Sequence, residues 1–178
     1  NYSDVVNNTN SQELILGRRH DYDNDLERNN FPVGYQGAQP GICPSQNLVN
    51  AYEMNNGMDI DEAGSGYDPN NPYENRDPRL EETVLYNNSR WKNRNVEVYR
   101  GGLDGPPQNL ATETGYYLKK YLQENVSLDP QNPTSARHLW VIFRYGEVLL
   151  NFAEAMNEAY GPNNPAGSGM TAYDAVNM

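Results

Sequence analysis

The feature that most constrains the fold is a run of helical apolar spacing over residues 144–160. Apolar side chains recur there at steps of three and four, at positions 145, 148, 149, 152, 156, 159 and 160. Because such spacing places them on one side of an α-helix, it predicts an amphipathic helix from Arg144 to Tyr160. Gly161 and Pro162 follow and predict its end. We expect the aromatic residues on or beside this helix to belong to the core: Trp140, Phe143, Tyr145, Phe152 and Tyr160.

Three further helix starts are marked by residues that cap free backbone N–H groups. Ser45 predicts a helix over residues 46–56, with a glycine directly after it. Asp77, followed by a proline, predicts a short helix or turn. Thr171 begins a Thr-x-x-Asp sequence that resembles a capping box and predicts a helix of about two turns. Since so short a helix needs a partner or a continuation, we expect the native domain to extend beyond this chain.

Short strands are predicted at residues 13–16, 83–86 and 96–99, and residues 115–121 are strand-like and rich in tyrosine. Between these segments the chain is dominated by glycine, proline, asparagine and aspartate, which favour loops and turns.

Charge and composition exclude several classes of protein. The 178 residues carry 24 acidic and 13 basic side chains, a net charge of -11, which repels the phosphates of nucleic acids. No apolar run approaches the ~20 residues that cross a bilayer, and residues 1–4 do not resemble a signal peptide. The single Cys43 excludes an internal disulfide and a cysteine zinc site. Residues 21–25 superficially resemble a calcium loop, but Leu26 stands where such a loop needs glycine, so we predict no metal.

Four motifs in order resemble the SusD/RagB family. Residues 144–155 (RYGEVLLNFAEA) are similar to the family signature RYAEVLLNYAEA. Residues 45–54 are similar to part of PTQELVDAFEMADG, residues 76–80 to RDPRL, and residues 172–177 to the start of AYDALNMIRARAG. Together they cover most of residues 45–178, which makes the resemblance much more specific than any one motif.

The resemblance implies a mainly α fold with irregular loops and a few short strands, its helices packing on a tetratricopeptide-like helical scaffold. It implies two regions. Residues 1–44 would be a loop-rich segment with a short strand, continuing from a missing N-terminal helical part. Residues 45–178 would be the SusD/RagB-like C-terminal region, truncated at its C-terminal end.

The resemblance also implies a function. Family members are outer-membrane lipoproteins of Bacteroidetes that bind glycans or other nutrients at the cell surface without catalysis or cofactors. They deliver the ligand to a TonB-dependent transporter of the SusC type. The membrane would be reached only through a lipid anchor missing from this chain, because Cys43 has no apolar leader before it.

Loop aromatics are the candidate ligand contacts, because aromatic faces pack on sugar rings while amides and arginines hydrogen-bond the hydroxyls. We predict a ligand-binding set in or beside polar loops: Trp91, Tyr67, Tyr73, Tyr99, Arg90 and Asn93. The alternative for each aromatic is partial cover of a loop-rich surface.

No catalytic residues are predicted. His20 and His138 lie on different segments, and no G-x-S-x-G sequence surrounds a serine. Three other functions stay open: an assembly or lid component with no ligand of its own, a peptide-binding member of the same family, and a hydrolase.

Overall fold

The computed structural model describes Asn8 and residues 10–178. The first part of the predicted loop-rich segment, residues 1–7 and position 9, lies outside the described residues. The described chain divides into two compact units, one of residues 8, 10–20 and 139–178 and the other of residues 21–138. The predicted boundary at residue 44 follows from the motifs alone and stays a prediction. Within the described part of the chain, no helix is long and apolar enough to cross a bilayer.

Eleven described elements follow one another along the chain: β1 (Leu14–Asp23), α1 (Asp25–Arg28), α2 (Gln46–Asn50), α3 (Pro78–Thr83), β2 (Val84–Leu85), β3 (Arg90–Trp91), β4 (Arg94–Asn95), β5 (Tyr117–Leu118), β6 (Ala136–Arg144), α4 (Tyr145–Tyr160) and α5 (Ala172–Val176). The strands form three two-stranded sheets, β1 with β6, β2 with β5 and β3 with β4. Only α4, with 16 residues, is longer than six residues among the described helices. The described residues therefore hold less helix than a mainly α class predicts.

In the smaller unit, α4 packs on α5 through a small cluster of buried side chains: Ala153, Met156, Ala172 and Ala175. Thr171 and Asp174 form the predicted capping box at the start of α5.

Several aromatic side chains on or beside α4 are more exposed to solvent than the sequence analysis predicts. Tyr145 is 44% exposed and Tyr160 56% exposed, so their assignment to the core is wrong in this chain. Trp140, at 36%, is also surface-exposed and lies in β6, a strand that the sequence analysis did not predict.

The larger unit holds two apolar clusters. The first contains Phe31, Leu85, Trp91, Val96, Tyr117, Leu122, Val126 and Ala136. The second contains Val49, Leu80, Val84, Tyr86 and Tyr116. Strands β2 and β5 pair antiparallel, with Val84 opposite Leu118 and Leu85 opposite Tyr117. Strand β2 contributes Leu85 to the first cluster and Val84 to the second. Packing in the two clusters thus fixes β2, and the turn of residues 86–89 begins directly after this strand.

Buried ionic groups cross-link the loops of this unit. The Asp104 carboxylate is fully buried and accepts hydrogen bonds from Arg94 Nη1 at 2.6 Å and Nη2 at 2.7 Å. It also accepts the backbone N–H groups of Gly34 and Glu97. Because all these donors surround a carboxylate removed from water, the loop at Asp104 is held in one conformation.

A second buried pair joins α1 to β6. His138 Nε2 lies 3.2 Å from Glu27 Oε2, and Glu27 Oε1 accepts the backbone N–H of Gln123. The hydrogen bond to Glu27 raises the pKa of His138, against the opposing effect of burial. The pair therefore favours the protonated imidazole.

Several predicted elements differ in extent from the observed ones. Ser45 caps α2 through the backbone N–H of Leu48, as predicted, but α2 ends at Asn50 rather than at residue 56. Beyond the end of the helix, Met54 forms an antiparallel β-bridge with Arg76. The strand predicted at residues 96–99 is wrong, and the hairpin lies earlier, between β3 and β4.

Candidate functional site

A surface cleft of about 650 Å³ lies in the larger unit, between the loop before α3 and the turn after β2. Its volume is in the range of ligand pockets. The lining is polar, with asparagine and tyrosine prominent: Asn70, Asn71, Pro72, Tyr73, Glu74, Glu81, Leu85, Tyr86, Asn87, Asn88, Ser89, Arg90 and Lys119.

Two tyrosines form an aromatic wall of the cleft. The rings of Tyr73 and Tyr86 stack with their centroids 3.8 Å apart and their planes 18° from parallel. The Tyr73 hydroxyl donates to that of Tyr116 at 3.3 Å, which in turn donates to Gln46 Oε1 at 2.8 Å. The wall is therefore anchored to the first residue of α2.

Both phenols of the wall are neutral at physiological pH. Burial raises the pKa of Tyr73, helped by its hydrogen bond with Tyr116. Burial, followed by the charge of Glu81, raises the pKa of Tyr86 to about 12. The Tyr86 hydroxyl donates to Glu81 Oε1 at 3.2 Å. Tyr86 is only 9% exposed, so the ring surface open to a ligand is chiefly that of the half-buried Tyr73. Apolar ring surface beside uncharged hydroxyls suits a polar but uncharged ligand.

A tight turn presents the next part of the lining, residues 86–89. The backbone N–H of Ser89 donates to the carbonyl of Tyr86 at 3.0 Å, and Ser89 Oγ bonds both the N–H and the carbonyl of Tyr86. Asn88 takes the left-handed conformation with φ of 68°, which asparagine tolerates better than most residues. Its N–H donates to the carbonyl of Val96. These bonds fix the backbone that carries Asn87 and Asn88.

Another part of the lining, Asn70 and Asn71, is held by a carboxylate turn. Asp68 Oδ1 accepts the backbone N–H of Asn70 at 2.9 Å, and Asp68 Oδ2 accepts the side-chain amide of Asn71 at 2.8 Å. These hydrogen bonds lower the pKa of Asp68. The loop is tied down further by Arg76, whose guanidinium donates to the carbonyls of Pro72, Val49 and Tyr52.

Charged groups in the cleft balance one another. Glu74 and Glu81 supply two carboxylates, and Arg90 and Lys119 supply two cations. Lys119 Nζ donates to the backbone carbonyl of Glu81 at 2.7 Å. The lining therefore carries no formal net charge although the whole chain is strongly acidic, so it does not select a highly charged ligand.

The structure brings two of the six predicted ligand residues, Tyr73 and Arg90, into this cleft. Tyr99 is 54% exposed and Asn93 is exposed, but neither lines the cleft. Tyr67 is half-buried outside the lining, with the Arg76 guanidinium 5.7 Å from its ring centroid.

Trp91 requires a correction. We expected an exposed loop aromatic, but the side chain is 1% exposed and belongs to the first apolar cluster. Its ring meets the ring of Phe31 edge to face, with centroids 5.6 Å apart. The polar neighbours that suggested exposure lie on the β3–β4 hairpin while the indole points into the core. Trp91 therefore does not line the cleft.

Sequence reasoning missed Tyr86 and the four cleft asparagines. Tyr86 lay at the end of a predicted strand, and asparagines are so frequent in this chain that none was distinguished. Asn-Asn pairs occur six times in the sequence, so the pairs at residues 70–71 and 87–88 did not stand out.

The cleft does not resemble a metal centre. Among the described residues, no three His, Cys, Asp or Glu side chains lie close enough to hold a metal ion. Asp21 and Asp23, from the segment that resembled a calcium loop, lie in strand β1. What the lining offers is hydrogen bonding and aromatic contact for an uncharged polar molecule.

Comparisons with known proteins agree on one family. The sequence profile of the SusD family matches residues 2–178. A SusD-like protein from Bacteroides fragilis has a solved structure that matches with a TM-score of 0.69 and 24% identity, over 99% of this chain and 37% of that one. A SusD-like carbohydrate-binding protein from the same species matches with a TM-score of 0.71 and 24% identity, over 93% and 34%. The chain thus spans about a third of the length of these proteins. No curated protein matches it in sequence.

Proposed function

Because the chain belongs to the SusD family, we propose that the whole protein is a noncatalytic nutrient-binding protein of the cell surface, and that its ligand is a glycan. One of the two similar structures is described as a carbohydrate-binding protein. The observation that carries the proposal for this chain is the cleft, where a tyrosine pair lies beside four asparagines and the charges balance.

The composition of this cleft matches the chemistry of a saccharide. Sugar rings have apolar faces that pack on aromatic side chains, and their hydroxyls both donate and accept hydrogen bonds. Neutral phenols and carboxamides also do both. A phosphate or nucleic-acid ligand would instead need an excess of cations, which neither the cleft nor the chain provides.

The proposed contacts are Tyr73 and Arg90, which the sequence analysis predicted, together with Asn70, Asn71, Asn87 and Asn88. The buried Tyr86 supports Tyr73 by stacking on its ring. Tyr67, Tyr99 and Asn93 stay candidates for contacts outside the cleft, with large or branched glycans. Carboxylates such as Glu81 accept hydrogen bonds from the hydroxyl groups of the saccharide and do not catalyse its hydrolysis.

The remaining proposals are motivated by membership of the SusD family. We propose that the protein delivers its ligand to a TonB-dependent transporter of the SusC type and is held in the outer membrane by a lipid anchor outside this chain. Residues 45–178 would belong to the C-terminal region, whose helices pack on a tetratricopeptide-like scaffold supplied by the rest of the protein.

Calorimetry on the intact protein tests the ligand class. The panel contains glucan, xylan, mannan, galactan and chitin oligosaccharides, with a peptide mixture alongside. We expect saturable binding of at least one saccharide, weakened by Tyr73→Ala and by Arg90→Ala, and no release of new reducing ends. Arg90 is exposed, so its variant keeps the fold even if Tyr73→Ala does not.

Arg100→Ala is the matched control, since Arg100 is exposed outside the cleft. Binding of peptides alone would favour the peptide-binding alternative. A blank result across the whole panel would favour an assembly component with no ligand of its own.

A further inference from the structure

A buried tyrosine outside the cleft lining holds a tyrosine that belongs to the lining. Tyr116 is buried and does not line the cleft, whereas Tyr73 is half-buried and does. The Tyr73 hydroxyl donates a hydrogen bond to the Tyr116 hydroxyl at 3.3 Å. The two rings meet edge to face, with centroids 6.4 Å apart and planes 88° from parallel. Tyr116 therefore contacts the aromatic part of the lining without itself belonging to it.

Tyr116 is held in place by contacts at both its backbone and its hydroxyl. Its backbone N–H donates to Thr112 Oγ1 at 3.2 Å, and its backbone carbonyl accepts from the same hydroxyl at 2.7 Å. The Tyr116 hydroxyl donates to Gln46 Oε1 at 2.8 Å, and the Gln46 amide nitrogen donates to Asn50 Oδ1 at 2.7 Å. Gln46 and Asn50 are the first and last residues of α2. These bonds fix the Tyr116 hydroxyl independently of Tyr73.

The side chain of Tyr73 is constrained at its hydroxyl and on one face of its ring. A phenol has a single O–H proton to donate, and in Tyr73 this proton is used in the hydrogen bond to Tyr116. Tyr86 stacks on one face of the Tyr73 ring, with centroids 3.8 Å apart. What Tyr73 offers to a ligand in the cleft is therefore chiefly the ring surface that Tyr86 leaves uncovered.

We propose that Tyr116 is a positioning residue for saccharide binding: its hydroxyl fixes the orientation of the Tyr73 ring, and Tyr73 contacts the saccharide with this ring and not with its hydroxyl. The inference rests on the proposed function of the cleft and deepens it, because the saccharide must then present the apolar face of a sugar ring to Tyr73. A ring that is already oriented before the ligand arrives loses less conformational freedom on binding, which strengthens the affinity.

Tyr116→Phe in the intact protein tests the inference, because it removes one hydroxyl and keeps the shape of the buried ring. Calorimetry with the panel saccharide that binds best measures the Kd. We expect the Kd to weaken about three- to tenfold, because the ligand must then order a Tyr73 ring that has lost its hydrogen bond.

Tyr35→Phe is the matched control. The Tyr35 hydroxyl donates to the backbone carbonyl of Trp91 at 2.7 Å, and neither residue lines the cleft. Both variants remove a hydrogen-bonded tyrosine hydroxyl, so each should lower the melting temperature of the intact protein by about 1 to 3 °C. Only Tyr116→Phe should change the Kd.

A double-mutant cycle measures whether Tyr116 acts through Tyr73. Tyr73→Phe keeps the ring and removes the hydroxyl that Tyr116 holds, so it should weaken the Kd by about the same factor as Tyr116→Phe. The variant that carries both substitutions should bind no more weakly than either single variant. Tyr73→Ala should weaken binding more than any of these, because it removes the ring that the saccharide contacts.

Other results overturn the inference. If Tyr73→Ala and Arg90→Ala weaken binding but Tyr116→Phe leaves the Kd unchanged, Tyr116 serves only the fold, and this inference fails while the proposed function stands. If the losses of Tyr73→Phe and Tyr116→Phe add up in the double variant, Tyr116 does not act through Tyr73. If Tyr73→Phe alone weakens binding, the saccharide contacts the Tyr73 hydroxyl. If no saccharide of the panel binds the intact protein, this inference and the proposed function both fail.

Discussion

Replacing Trp91 with alanine separates a core role from a ligand role at the residue where sequence and structure disagree most. The indole is 1% exposed and lies in an apolar cluster with Phe31 and six other buried residues. Its ring edge contacts Phe31 with centroids 5.6 Å apart. Trp91→Ala therefore removes a large side chain from a packed interior.

The expected loss can be worked from the buried area. A tryptophan buries about 200 Å², which at about 25 cal/mol per Å² corresponds to about 5 kcal/mol. The alanine methyl group keeps part of this, and a compact denatured state reduces it further. We therefore expect the free energy of unfolding to fall by about 3 to 5 kcal/mol.

Urea unfolding of the intact protein, followed by far-UV circular dichroism, measures this loss. Tyr99→Ala is the control, because Tyr99 is 54% exposed, and it should change the free energy by less than about 0.5 kcal/mol. A loss below about 1 kcal/mol for Trp91→Ala, combined with loss of glycan binding, would refute the buried placement and restore Trp91 as a surface contact.

Three further predictions concern buried and capping groups. Arg94→Met leaves the Asp104 carboxylate buried without its cation and should cost about 3 to 5 kcal/mol in urea unfolding. His138 has a raised pKa beside Glu27, so its contribution to stability is fully present below its ordinary pKa of about 6.5 and is lost as the pH rises through the raised value. His138→Gln should flatten this pH dependence. Thr171→Ala removes the cap of α5 and should cost about 1 kcal/mol, seen as faster amide exchange in α5.

Each of these predictions can fail on its own. An Arg94→Met protein as stable as the unmodified one would contradict the ion-pair argument. Stability that increases with pH around neutrality, and does so equally in His138→Gln, would contradict the sign derived for the histidine. Unchanged amide exchange in Thr171→Ala would show that the cap does not stabilise α5.

Local signals were predicted well from the sequence. Ser45, Asp77 and Thr171 all cap helices, as their positions predicted. Capping depends on residues within three positions of one another, so a single sequence contains all of the information. The length of α2 was not predicted: the residues after it include Met54, which is bridged to Arg76, a residue distant in sequence.

The tertiary placement of side chains was predicted less well, because it depends on residues that are distant in sequence. Trp91 is surrounded in sequence by polar residues but in space by the apolar cluster. Strand β6 was not predicted because residues 139–143 form a short apolar run directly before α4, and spacing alone does not distinguish such a run from part of a helix. The core positions assigned to Tyr145 and Tyr160 assumed that the apolar face of α4 would be covered, and both side chains are exposed.

The residues of the candidate site were predicted only in part from the sequence. Tyr73 and Arg90 were predicted as loop residues and do line the cleft. Tyr86 and Tyr116 could not be found, because what distinguishes them is a ring stacked on that of Tyr73 and a hydroxyl hydrogen-bonded to it. Both are properties of the folded chain and leave no pattern in the sequence.

Amide hydrogen exchange of the intact protein, with and without its best saccharide, tests the central claim most directly. If the glycan binds in the cleft, exchange should slow in residues 70–74 and in residues 86–90, and Arg90→Ala should weaken this protection at a fixed ligand concentration. Protection confined to other segments, such as the loop around Tyr99 or the helices α4 and α5, would contradict the assignment of the ligand to this cleft.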